Sequence, residues 1–134
     1  MKPLHAIAVF LCIILAFTSC KKLASVNSTD SSRKVRYVLF TDQDFSNDDK
    51  KITFTLFIKR TNGVVLWDTV LAPIKVKNIP DKAHQLIIEK TVPHDDNSTL
   101  KIGFDYAIEN VGNSWFFDVL NPGEDFKEIV FDVK

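Results

Sequence analysis

Residues 52–60 read ITFTLFIKR, and alternation of this kind holds the chain to a β-strand. Ile52, Phe54, Leu56 and Ile58 take one face, and Thr53, Thr55 and Lys59 the other. Asn62-Gly63 follows, a pair that tolerates the positive φ of a type I′ hairpin turn. Residues 64–71 (VVLWDTVL) then form the return strand. If the loop has two residues, Thr61 pairs with Val64. Ile58 then falls opposite Trp67, Leu56 opposite Thr69 and Phe54 opposite Leu71.

The period of two recurs along the chain. Residues 35–41, 100–109, 115–120 and 126–133 read as strands, and 74–79 as a short strand with Lys75 and Lys77 outward. Residues 86–92 also read as a strand, although Ala83, Leu86, Ile87 and Lys90 fit a short helix as well. Turn-forming residues separate these runs at 78–81, 93–97, 110–114 and 121–123. Ala72-Pro73 breaks the alternation because proline cannot donate to a ladder. It is either a reversal of the chain or only a bend. Seven or eight short strands without long helices predict an all-β fold, an immunoglobulin-like antiparallel β-sandwich. A small closed β-barrel is the alternative.

The N-terminus has a different character. Lys2 precedes an apolar stretch, 6–17, too short for a spanning helix at ~20 residues but suited to a signal peptide. It ends in Phe17-Thr18-Ser19-Cys20, followed by Lys21-Lys22. This resembles the lipobox of bacterial lipoproteins, in the looser form of the Bacteroidota, with Phe17 where the common pattern has Leu. The resemblance implies that residues 1–19 are a cleaved signal peptide and that Cys20 is lipidated. It also implies a protein of the cell envelope, held by its lipid to the outer membrane. Residues 20–32 would be the lipidated cysteine and a flexible tether rich in Ser, Thr and Asn, with a reach of ~20 Å. Residues 33–134 would be one domain.

The two cysteines are Cys12 and Cys20, so residues 33–134 contain none. That domain must stand by burial alone, without disulfides, and it has no thiol nucleophile or cysteine zinc site. The 17 basic residues match the 17 acidic ones, and no basic stripe marks a nucleic-acid partner. No G-x-S-x-G, H-E-x-x-H, phosphate loop or dinucleotide fingerprint is present. His84 and His94 fall in loops and need no role beyond a solvated turn. The expectation is therefore a non-enzymatic module without cofactor.

Four features have the chemistry to bind something. The loop 42–49 offers Asp42, Asp44, Asp48 and Asp49, oxygen ligands of the kind Ca²⁺ takes, but it lacks the EF-hand glycine and distant Glu. A solvated turn is the better explanation, since Asp and Asn are common in loops without metal, and no metal is expected. Asp95-Asp96-Asn97 would reinforce that loop only if the two shared one end of the fold. Trp67, Trp115 and Phe116, with Phe57, could present a platform for a sugar or a protein partner. Phe45, an aromatic in a polar loop, is expected to fold back over the core edge. Together these describe a membrane-anchored envelope module that binds or supports a protein or glycan. The alternative is a calcium-assisted carbohydrate- or peptide-binding domain.

Overall fold

A computed structural model describes residues 32–92 and 97–134. The expected signal peptide, Cys20, the tether up to residue 31, and His94, Asp95 and Asp96 lie outside the described residues. The strands are β1 (Arg33–Phe40), β2 (Lys51–Arg60), β3 (Val65–Val70), β4 (Ile74–Lys75), β5 (Leu86–Val92), β6 (Leu100–Ile108), β7 (Gly112–Leu120) and β8 (Phe126–Asp132). One sheet has the order β5-β1-β8; the other runs β3-β2-β6-β7, with β4 also on β2. The two sheets pack face to face and neither closes on itself, so the chain is a β-sandwich and not a barrel.

The expected helical alternative at 86–92 gives way to a strand, because β5 pairs with β1 from Leu39↔Leu86 to Arg33↔Val92. One ladder departs from the antiparallel expectation. Strands β1 and β8 run parallel, from Lys34↔Phe126 to Phe40↔Asp132. Strand β4 is shorter than the predicted 74–79 because its partner β2 begins at Lys51. Beyond that point Val76 and Lys77 donate to Lys50 and Asp48 carbonyls, and the chain coils into a 3₁₀ turn, Val76–Asn78. Strand β7 begins three residues before the predicted Trp115. The turn there contracts to residues 109–111, with Asn110 taking a left-handed φ of 58°.

The β2–β3 hairpin keeps the expected pairs of Ile58 and Leu56 but has Arg60, not Thr61, opposite Val64. Arg60 and Val64 pair around a three-residue loop, Arg60 N donating to Val64 O and Gly63 N to Arg60 O. Only Gly63 has positive φ, at 89°, so the turn is not type I′. The longer loop would shift the register by one. A β-bulge between Ile58 and Lys59 shifts it back, so Ile58 still faces Trp67 and Leu56 faces Thr69. Leu66 is the extra residue.

Ala72-Pro73 is a bend. Strands β3 and β4 lie along the same edge of β2 in the same direction, with Thr55↔Val70 and Ile52↔Ile74. The loop 42–49 therefore sits at the Phe40 end of β1. Asn97 and residues 121–125 sit at the Arg33 end, where Gly123 N donates to Asn97 Oδ1 at 2.9 Å. Asn97 therefore lies at the opposite end from the loop 42–49.

The core uses the alternating residues as read. Ile52, Phe54, Leu56, Ile58, Leu100, Ile102 and Phe104 are buried against Val35, Tyr37, Leu39 and Ile129 of the other sheet. Tyr37 spans the layers: its hydroxyl donates to the Phe57 carbonyl at 2.7 Å, and its ring meets Phe104 edge-on at 5.4 Å. Burial pushes the Tyr37 phenol above the ordinary 10.0. A raised phenol pKa means that the fold keeps the neutral form, so this contribution is complete below about pH 10 and is lost as pH climbs beyond it. Tyr37→Phe should cost about 1–2 kcal/mol at neutral pH. It should also flatten the alkaline fall in stability, measured as urea midpoints between neutral pH and about pH 11. An unchanged alkaline slope would assign that fall to other groups.

Candidate functional site

The acidic loop carries its own counterions. Asp49 sits 2.8 Å from both Lys75 and Lys77, on β4 and the 3₁₀ turn. Hydrogen bonds from those two ammonium groups, Lys75 first, hold its carboxyl down to about 2. Asp42 meets Lys134 at 2.8 Å, which lowers its pKa, helped by Gln43. Asp44 accepts from Ser46 N at 3.0 Å and is lowered by it. Asp48 accepts from Lys50 N and faces Lys50 Nζ at 3.4 Å. Each carboxylate is thus turned toward a neighbour of its own, and among the described residues no three His, Cys, Asp or Glu gather as a metal cluster. Phe45 folds back against the core, as expected.

The aromatic candidates separate into two places. Trp115 and Phe117 share the outer face of the larger sheet on the edge strand β7, 66% and 44% exposed. Phe116 points the other way, where it stacks on Phe131 of β8 at 5.4 Å and stays partly exposed. Phe57 is on the outer face too, but it is buried, with Lys59 Nζ 4.0 Å above its ring. Gly103, across the ladder, leaves the space into which that ring settles. Trp67 lies on the opposite edge, in β3, facing inward. A single platform uniting Trp67 with Trp115 and Phe116 is not formed.

Trp67 instead walls a cleft between the edges of β3 and β5. The cleft has a volume of about 210 Å³ and is lined by Ile58, Leu66, Trp67, Lys90, Thr91 and Val92. The β-bulge explains its shape: two consecutive residues, Leu66 and Trp67, face one position of β2 and both reach the cleft. Ile58 and Val92 are buried at its base, and Lys90 Nζ stands 5.4 Å from the Trp67 ring centroid.

Two residues of consequence were not singled out from the sequence. Lys90 was legible, since alternation in LIIEKTV puts it on the same face as Leu86, Ile88 and Val92. Arg33 was not. It is buried and donates to the carbonyls of Ser98, Leu120, Asn121 and Glu124, which come from two distant loops. Comparisons with protein families, curated proteins and solved structures find no match to this chain.

Proposed function

We propose that the protein is a lipid-anchored, non-enzymatic binding module of the cell envelope, held at the outer membrane by acylated Cys20. The lipobox-like Phe17-Thr18-Ser19-Cys20 supports the address. The binding role rests on one observation: Trp115 and Phe117 stand exposed side by side on an open sheet edge. Large apolar side chains on an edge strand invite pairing with another chain, and a protein keeps them where a partner covers them. Calcium-assisted binding has less behind it, because Asp42, Asp44 and Asp48 each have a partner close by and Asp49 is held by two lysines.

The test is fractionation. Mature wild type should follow the membranes, while Cys20→Ser should be released or stay as uncleaved precursor, since anchoring at ~0.8 kcal/mol per buried CH₂ requires the acyl chains. Mature Cys20→Ser protein in the membrane fraction would remove the lipoprotein reading. Trp115→Ser with Phe117→Ser should leave the melting temperature nearly unchanged and reduce cross-linked adducts in whole cells. Undiminished adducts would count against the β7 edge.

A further inference from the structure

We propose that the cleft between β3 and β5 binds a small carboxylate carried on a short aromatic or branched-aliphatic body. This goes beyond the β7 docking edge, which lies on the other side of both sheets.

The first argument is Lys90 itself. It occupies a core-facing position, opposite fully buried Val35 and in the row of Leu86, Ile88 and Val92. A lysine there must be desolvated in part, which is unfavourable unless something meets its charge. Several lysines elsewhere in the fold have carboxylates: Lys34 has Glu89, Lys75 and Lys77 have Asp49, Lys134 has Asp132; Lys101 instead stands 5.3 Å from the ring of half-exposed Phe117 on the outer face, away from the core. Among the described residues no carboxylate comes within 4.0 Å of Lys90 Nζ, and its neighbour is the face of Trp67. Cation–π attraction meets part of that cost, and it leaves the ammonium hydrogens available to an acceptor.

The second argument is the space below the charge. An apolar cavity of ~150 Å³ accepts benzene, and this one measures about 210 Å³ over Ile58, Leu66 and Val92. The bulge that aims Leu66 and Trp67 at the same hollow is a local departure from ladder geometry, of the kind found where a side chain is re-aimed toward a site. Apolar walls with one cation at the mouth match a ligand with an apolar body and one anionic group. A sugar would need more donors and acceptors than Lys90 and Thr91 provide. The same chemistry is offered by a free small acid or by the C-terminal residue of a peptide.

The bland explanation is that the Lys90 stem only covers apolar surface. Lys90→Met preserves that cover and removes the charge, so it separates the two. The experiment uses the full chain in detergent with Trp115→Phe, which leaves Trp67 as the one tryptophan. Phenylacetate should change Trp67 emission saturably, and phenylacetamide should bind about tenfold more weakly or worse, as expected for loss of a charge-assisted contact. Lys90→Met should erase that preference, and Lys90→Arg should keep it. N-acetyl-Gly-Gly-Phe binding tighter than phenylacetate assigns the carboxylate to a peptide terminus; the reverse order assigns a free acid. Equal binding of acid and amide, wild-type affinity in Lys90→Met, or no response of Trp67 to either acid at millimolar concentration overturns the proposal. None of these outcomes bears on membrane fractionation or on the β7 adducts.

Discussion

Replacing Arg33 by Met should remove about 3–5 kcal/mol of stability, enough to lower the melting temperature by roughly 15–30 °C in a domain of this size. Methionine keeps the apolar stem and deletes the donors. Arg33 is 1% exposed, and its guanidinium donates at 2.8 Å to Ser98 O, 3.1 Å to Leu120 O, 2.8 Å to Asn121 O and 3.3 Å to Glu124 O. These carbonyls belong to the approaches to β6 and to the β7–β8 turn, so one side chain ties two loops to the start of β1. Loss of the guanidinium leaves the buried Leu120 carbonyl and three part-buried ones without this donor, and that penalty exceeds the modest net value of a typical hydrogen bond. Arg33→Lys should recover only a part, because an ammonium is a point donor and cannot reach a fan of acceptors. Urea unfolding at constant m-value measures the difference. A loss under about 1 kcal/mol would mean that water replaces the guanidinium without strain.

Gly103→Val should be comparably severe, at about 3 kcal/mol or more. Glycine inside a strand is ordinarily a weakness, and adding a side chain there should help. Here sterics decide the sign the other way. A Cβ at residue 103 would stand 2.3 Å from Phe116 O and 2.8 Å from both Phe117 Cβ and Phe57 Cζ. The Phe57 ring can move, but the Phe116 carbonyl belongs to the ladder with β7. Adding Phe57→Leu should therefore rescue only a small share of the loss, seen as a partial return of the urea midpoint. Full rescue would show that the ring, and not the ladder, sets the limit.

Legibility in the sequence followed the range of the forces involved. Alternation in 52–60 and 100–109 reports a local property, the two-residue pleat, and those strands and their buried faces lie where that property puts them. The β2–β3 register came out as read because two irregularities cancel, a three-residue loop and the bulge at Ile58/Lys59. Asn62-Gly63 signals a turn but does not specify whether one or two residues take positive φ. Trp67 was legible as a candidate but not its surroundings, since the cleft needs β5 from the other sheet. Arg33 was illegible for the same reason: its acceptors are backbone carbonyls 65 to 91 positions away, and backbone carbonyls carry no sequence signature. The separation of the 42–49 loop from Asn97 hung on Ala72-Pro73, where proline marks an interruption of pairing but not its direction.

The parallel pairing of β1 with β8 has a mechanical consequence. The first strand and the last lie side by side and point the same way, so the domain's two chain ends leave from opposite ends of one ladder. A pull applied between Arg33 and Lys134 runs along both strands and loads the pairs from Lys34↔Phe126 to Phe40↔Asp132 together, in shear, where an antiparallel hairpin would open one pair at a time. Arg33 reinforces the loaded end by gripping the turn that leads into β8. Rupture under load is governed by the unfolding rate and not by equilibrium stability. This sandwich is therefore built to resist tension between its ends more stubbornly than its modest size and lack of disulfides suggest.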